Sequence, residues 1–587
     1  MRRGFDAVVV GLILAFGAVA FLCPERSADF LHDDVFYADA ARALIRHGFY
    51  GINGHPETNQ PPGLPAILGA LCLAGACTHV VFLRAMVVFE TLGFLAGYVL
   101  LRHLVPRTVA AAGCLLLMSS EVYFTSATRW VLPSYPYLFT TMTALLVVRR
   151  LESATTPRSR IAWAAALAAL CAASIMIASA GIALLGAIVA SLAALFWRDR
   201  RLAVPRLKAF AVALIVGVAV QAWWMHRPPA PLEWQIPGYP RPYLSQLRVK
   251  DGNHPELGMA TWRDIPVRFA DNAFNHSAWL AETLLQRPIP GHWLFPLILG
   301  PFLLIVLGWG YSIWRTGGEL HDWYFAGYET IYFLWPWHLE ARFVLPIAPL
   351  ACLYLWRGGE AVAFLARHKT RALGAAWLSL SVILTATAWH RRFVGTFVTW
   401  LLSALVAAWF VRGQRWSFTP SWFPRRSAQV VAAGLVIGLI VTGLTQQVPY
   451  MIGNADAGAV WNLPPPDAKA GLWVASHTDT NAVVMARHIP TVFHYSGRRV
   501  VWFPPSTDPQ LLMEGIRRLK VEYVIVTHRE GSYYLPSDDD CFAPLLAAYP
   551  HALRLLFQSW EFRVFQVVEP LPARTTHRPT AATPTDS

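Results

Sequence analysis

The chain has 587 residues, 55% of them hydrophobic and only 14% charged, with a formal net charge of +14. A soluble chain of this length would split into several domains with more charge, so the balance excludes an ordinary soluble enzyme. Nor is the positive charge a nucleic-acid footprint: Arg residues collect in short loops between apolar runs, as the positive-inside rule requires of a polytopic helical membrane protein.

In chain order, residues 1–23 (MRRGFDAVVVGLILAFGAVAFLC) resemble a signal peptide but lack a convincing small-residue cleavage site. They are expected to remain as a first spanning helix with Arg2 and Arg3 on the cytoplasmic side. Next comes LHDDVFYADAARALIRHGFYG, residues 31–51, with Asp33 and Asp34 adjacent beside the membrane. Asp34 suits the N-cap of a helix starting at Val35. Phe36, Ala40 and Leu44 with Tyr37, Ala41 and Ile45 form an apolar face, and Asp39, Arg42 and Arg46 a polar one. Gly48 ends the helix. This describes an amphipathic helix lying on the bilayer. It explains one Asp and leaves Asp33 without a structural duty, where carboxylates are costly.

Residues 63–79 look like a second span. Were they one, the Arg-rich loops 102–107, 149–160 and 197–208 would fall on unequal sides. Placing 63–79 in the outer interface instead gives spans near 80–101, 108–124, 135–151, 161–178, 181–197 and 207–225. Later spans follow near 293–313, 322–337, 343–357, 371–389, 394–411 and 428–446. Every Arg-rich loop then returns to the cytoplasm, giving about thirteen spans with the N-terminus inside and the C-terminus outside. Residues 24–79 and 226–292 become large outer loops. Domains are expected at 1–446 (transmembrane), 447–570 (a small extracytoplasmic α/β domain) and 571–587 (a Thr- and Pro-rich disordered tail). In the second of these, WVAS, NAVVMAR, RRVVWFPP and VEYVIV read as strands and DPQLLMEGIRRLK as a helix.

The seven cysteines form no evident framework. Cys23, Cys72, Cys77, Cys114, Cys171 and Cys352 lie in or beside apolar segments, and Cys541 stands alone in the tail, so packing is expected for each. Glu90 falls mid-span and needs a partner from another helix; Glu121 and Glu329 lie near span ends. Asp538, Asp539 and Asp540 with His528 read as an exposed acidic turn.

Three stretches carry a resemblance. D-D-x-x-Y-A-x-A-A-R-x-L from Asp33, then G-F-Y and N-Q-P-P-G-L-P, resembles the first outer loop of the GT-C-fold glycosyltransferases. These polyprenyl-phosphate-sugar-dependent enzymes include protein O-mannosyltransferases and the aminoarabinose transferase of lipid A. WPWHLEARFVLPIAPLACLYL, residues 335–355, resembles the family's late outer loop, and residues 471–505 the outer domain of bacterial members. A non-crossing helix after the Pro61–Pro62 pair is likewise a family trait.

The resemblance implies an inverting transfer of a sugar from a polyprenyl-phosphate donor to an outer acceptor, which is lipid, glycan or protein. Asp33 and Asp34 become the candidate catalytic pair, with Asp33 the base that takes the acceptor hydroxyl proton. A phosphate leaving group needs cationic support; Arg342 is the first candidate, oriented by His338 and Glu340. His55, Glu57, Asn59 and Gln60 precede the Pro pair where some relatives carry an acidic–basic pair. Asn59 and Gln60 at those positions argue against a metal there. The loop 125–138 lacks the acid that metal-dependent relatives use, so no metal cofactor is expected. Asn272 and His276 are further candidate substrate contacts, and Arg241, Arg248, Lys250, Arg263 and Arg268 are expected to be solvated or to meet anionic lipid or glycan. The cell inner (cytoplasmic) membrane is the expected location. Two rivals stand beside this reading. A flippase for lipid-linked glycans requires an internal repeat and broken polar helices, and a non-catalytic envelope assembly factor requires that Asp33 be dispensable.

Overall fold

The structure is a computed structural model that describes residues 2–26, 34–53, 55–57, 60–226, 247–252, 257–286, 295–337, 341–368, 425–456, 464–528 and 536–568. The chain divides into two compact units, a helical one up to Leu463 and a second formed mainly from Pro464 onward. Asp33, Asn59, Arg241, His338, Glu340, the expected spans 371–389 and 394–411 and the tail 571–587 lie outside the described residues.

The helical unit begins with α1 (Arg2–Leu22) and α2 (Asp34–His47), followed by a two-stranded ribbon, β1 (Gly51–Ile52) and β2 (His55–Pro56). Then come α3 (Gly63–Leu73), α4 (His79–Leu101), α5 (Arg107–Met118), α6 (Glu121–Arg129), α7 (Ser134–Ser153) and α8 (Pro157–Ile177). The unit continues with α9 (Ile182–Arg198), α10 (Arg200–Met225), α11 (Asp264–Leu285), α12 (Phe295–Thr316), α13 (Leu320–Phe333), α14 (Ala348–His368) and α15 (Arg425–Ala455). Among the described residues six helices are long and apolar enough to cross a membrane, or seven if one bent pair is a single span. The apolar α3 has 11 residues, about 17 Å of helix against a hydrocarbon core of about 30 Å.

The bent pair is α5 and α6, which meet at 53°. An unbroken span at 108–124 is therefore not what forms. Ser119 closes α5 and Ser120 caps α6, its hydroxyl accepting from Val122 N. The break frees backbone carbonyls among packed helices, where an unpaired one is costly. Two glutamines distant in sequence supply protons, one just past the end of α11 and one on α15: Gln286 Nε2 donates to Leu116 O at 2.7 Å, beside Ser119 Oγ at 2.8 Å, and Gln447 Nε2 to Met118 O at 3.2 Å. Elsewhere helices touch through missing side chains. A Cβ on Gly308 of α12 would strike the backbone of Tyr354 and Gly358 on α14, and one on Gly358 that of Leu304.

Ion pairs sort the loops into two groups. Asp6 on α1 binds Arg102 and Arg107, Arg149 faces Glu319, and Arg206 faces Glu152. Arg198 donates to Thr316 O and Arg357 to Leu104 O. The start of α1 and all of these basic loops thus adjoin one another. A separate group joins Glu25, Asp34, His79, Arg129 and Asn454 and is described below. The expected span 343–357 also differs, because helix α14 starts only at Ala348 and is preceded by a single 3-10 turn, Ala341–Phe343.

Two cysteines expected merely to pack are joined instead. Cys72 and Cys77 form a disulfide with Cα atoms 4.2 Å apart, closing the turn between α3 and α4. Their spacing inside an apolar run hid it, because α3 ends at Leu73 and lets the chain fold back.

In the second unit, α16 (Pro466–His477), β3 (Val483–Ala486), α17 (Ile489–Ser496), β4 (Arg499–Trp502), α18 (Pro509–Leu519) and β5 (Tyr523–Thr527) precede α19 (Asp538–Ala548), β6 (Leu553–Gln558) and β7 (Phe562–Val567). The sheet runs β4-β3-β5-β7-β6. The first three strands are parallel, and β7 joins β5 and β6 antiparallel. WVAS is helical, not a strand: Pro465 and Pro466 open α16, whose Ala470 and Val474 are buried on one stripe. Nor is Asp538 part of an exposed turn. It is 2% exposed, accepts from Thr527 N and Oγ1 and pairs with Arg487 at 3.0 Å.

Candidate functional site

Helix α2 begins at Asp34 itself, whose Oδ1 accepts from Val35 N. The helix does not simply float on a surface: Asp34, Val35, Phe36, Tyr37, Ala38, Ala40 and Ala41 are all buried. Its polar face holds the Asp39–Arg42 pair at 3.2 Å, and Gly48 leaves the helix at φ +68°, a conformation that disfavours a side chain.

Asp34 is buried because it has a partner. His79 Nε2, at the start of α4, lies 2.8 Å from Asp34 Oδ2. Thr78 caps that helix start, its hydroxyl accepting from Val81 N, and the Cys72–Cys77 bond sits just before it. Beside this pair lies Glu25, fully buried, with its backbone N–H donating to Thr128 O at 2.8 Å. Neither Glu25 carboxyl oxygen makes a hydrogen bond among the described residues, and Arg129 Nε stands 4.0 Å away. Burial pushes the Glu25 carboxyl up to about 7; Arg129 and His79 oppose this and Asp34 adds to it. Asn454 at the end of α15 completes the cluster, donating to Cys23 O at 3.0 Å and Thr128 Oγ1 at 3.2 Å. His79, Glu25 and Arg129 were not singled out in the sequence; only burial and long-range pairing reveal them.

The loop after α2 is knitted by its own polar groups. Tyr37 Oη donates to Gln60 Oε1 at 2.8 Å. Tyr50 Oη donates to Gln60 O at 2.9 Å, and Gln60 N to Glu57 Oε1 at 2.9 Å. Glu57 and Gln60 are therefore brought together, with His55 on the neighbouring ribbon strand.

A second cluster gathers around α11, α13 and the 341–343 turn. Asn272 Nδ2 donates to Tyr332 O, Phe333 O and Trp335 O at 3.2, 3.2 and 2.7 Å and so caps the end of α13. One turn on, His276 Nδ1 lies 2.6 Å from Glu329 Oε2. The ring stacks on Tyr332 at 5.8 Å, and Tyr332 packs on Phe343 at 5.0 Å. Arg342 precedes Phe343, its guanidinium carbon 5.3 Å from that ring. The turn is pinned by Ser134 Oγ, donating to Arg342 O at 3.0 Å, and Tyr328 Oη, donating to Phe343 O at 2.7 Å. Arg268 is not merely solvated, since it donates to the carbonyls of Leu247, Val249, Lys250 and Leu334.

Glu90 is 3% exposed and borders a mostly apolar cavity of about 280 Å³ between α1, α4, α5, α6 and α15. No side chain among the described residues hydrogen bonds to it. No three His, Cys, Asp or Glu side chains among those residues converge as metal ligands.

These features define a multi-pass helical membrane protein with the GT-C fold. It is similar to ArnT from Cupriavidus metallidurans in the apo state, at TM-score 0.50 and 14% identity, covering 96% of this chain and 98% of that one. ArnT bound to undecaprenyl phosphate gives TM-score 0.49 at 14% identity over 97% and 99% of the two chains. The archaeal oligosaccharyltransferase AglB from Archaeoglobus fulgidus, in complex with an inhibitory peptide and a dolichol-phosphate, gives 0.49 at 12% identity over 88% and 69%. No family model matches the sequence, and no curated protein matches it.

Proposed function

We propose that the chain is an inverting glycosyltransferase of the inner (cytoplasmic) membrane that moves a sugar from a polyprenyl-phosphate donor to an extracytoplasmic lipid, glycan or protein. The observation that carries this reading is the Asp33–Asp34 motif on an ArnT-like fold, with Asp34 buried against His79 at 2.8 Å. That pairing accounts for the second acid and leaves the first for chemistry. Asp33 takes the acceptor hydroxyl proton as that oxygen attacks the anomeric carbon; the phosphate leaves from the opposite face, so the configuration inverts. Arg342, oriented by His338 and Glu340, meets the charge that develops on the phosphate. His55, Glu57, Asn59, Gln60, Asn272 and His276 are assigned to substrate contact.

About thirteen spans, a cytoplasmic N-terminus and an extracytoplasmic 447–570 domain complete the proposal. The Cys72–Cys77 bond supports this orientation, because disulfides persist in oxidising compartments and the charge rule puts this segment outside. The broken α5–α6 span is the feature that favours a flippase. Its freed carbonyls are capped by Gln286 and Gln447, which supports a fixed structural bend instead.

The test reconstitutes the full chain in liposomes with a panel of polyprenyl-phosphate sugars and a membrane extract. Sugar transfer with release of polyprenyl monophosphate supports the enzyme; donor flux across the bilayer without transfer supports the flippase.

A further inference from the structure

His276 and Glu329 come from different helices, 53 residues apart, and meet at 2.6 Å. A carboxylate only accepts hydrogen bonds, so the proton between them belongs to His276 Nδ1. The opposite nitrogen, Nε2, is buried with no hydrogen-bond partner among the described residues, which is costly in an apolar interior unless something else pairs with it. The ring cannot readily swing to find one. Its face stacks on Tyr332, and it meets Phe333 edge to face at 6.0 Å and 87°. Asn272, one turn earlier, fastens α11 to the end of α13. On the elements packed here, the charged or titratable groups among the described residues are Asp264, Arg268, Asp271 and Glu282 on α11, His321, Asp322, Tyr324, Tyr328, Glu329 and Tyr332 on α13, and Arg342 on the 341–343 turn. Tyr332 offers His276 its ring, and Glu329 is the anion at its Nδ1.

We propose that His276 and Glu329 form a proton-coupled phosphate clamp, with the donor phosphate at Nε2 and Glu329 as the positioning residue. The proposal rests on the polyprenyl-phosphate reading and names a further part of that site. Neutral imidazole, its Nδ1 proton held by Glu329, presents a lone pair at Nε2 and repels a phosphate. Placed between two anions, the ring keeps a proton on each nitrogen. Donor binding therefore takes up one proton. In the transfer step the C1–O bond to phosphate breaks and its electron pair stays on the phosphate oxygen, which takes the Nε2 proton. The acceptor oxygen forms the new bond to C1 and loses its proton to Asp33. Polyprenyl phosphate departs as a singly charged monoester, Asp33 returns its proton to water, and His276 stays neutral until the next donor binds and brings a proton from water.

The test titrates the full chain in detergent with the methyl diester of a polyprenyl phosphate, a probe whose single charge does not change near neutral pH. Tryptophan fluorescence reads binding, and calorimetry in two buffers of different ionisation enthalpy reads proton uptake. The expected result is uptake of one proton, with affinity falling about tenfold per pH unit above the imidazole's titration. Glu329→Gln keeps an acceptor at Nδ1 without the charge; it is expected to weaken binding about tenfold at neutral pH, with the slope flattened. His276→Gln is expected to abolish the slope. Wild-type binding with no pH slope and no proton uptake overturns the clamp but leaves the donor reading standing. So does a Glu329→Gln variant that melts like wild type and keeps the full slope. No binding at any pH overturns the polyprenyl-phosphate reading and the clamp with it.

Discussion

His79 Nε2 and Asp34 Oδ2 meet at 2.8 Å with both side chains almost wholly buried, tying the start of α4 to the start of α2. A buried polar group stripped of its partner costs about 1–3 kcal/mol. His79→Ala and Asp34→Ala are each expected to lower stability by about that amount, and the double variant by less than their sum. Thermal unfolding in detergent checks this; additive losses would mean the two side chains do not act as a pair.

Glu25 gives the same region a pH dependence. Its carboxyl is raised by burial to about 7 from 4.5, so the folded state holds the proton more tightly than the unfolded chain. The resulting stability is fully present below pH 4.5 and is lost as pH rises through about 7. The change is on the order of 3 kcal/mol. Glu25→Gln should remove it, leaving the variant more stable than wild type at pH 8 and similar at pH 5. Melting curves at the two pH values decide, and parallel curves would contradict the assignment.

The Cys72–Cys77 bond closes a short loop, and a loop of this size is worth roughly 2 kcal/mol in the chain-entropy model. In intact cells both thiols should resist a membrane-impermeant maleimide until a reductant is added. Cys72→Ser is expected to lower the melting point modestly. Labelling of both cysteines without reductant would show that the bond is absent.

The bend between α5 and α6 depends on glutamines far away in sequence. Gln447→Leu leaves the Met118 carbonyl without its side-chain donor and is expected to cost about 1–3 kcal/mol. Gln286→Leu is expected to cost less, because Ser119 Oγ still donates to Leu116 O at 2.8 Å. A Gln447→Leu variant as stable as wild type would show that the Met118 carbonyl finds another donor.

Local chemistry made much of this legible. The Asp34–Gly48 helix follows from capping and periodicity, and the short α3 followed from where the Arg residues must lie. The partners were not legible. His79 is 45 residues from Asp34 in sequence, and Glu329 is 53 from His276; no local pattern records such pairs. The α5–α6 break was hidden because Ser119 and Ser120 interrupt an otherwise apolar run that hydropathy averages over. WVAS was too short to distinguish a strand from one turn of the α16 stripe. Nor was the capping role of Asn272 legible, because the three backbone carbonyls that its amide serves lie about 60 residues away in sequence.

The central claim is that Asp33 is the base and Asp34 its buried structural neighbour. The direct measurement compares wild type, Asp33→Asn and Asp34→Asn in sugar transfer from a polyprenyl-phosphate donor, with the melting point of each followed in parallel. The account predicts that Asp33→Asn melts like wild type and loses transfer by at least about a hundredfold, while Asp34→Asn loses stability. Full transfer by Asp33→Asn would contradict it.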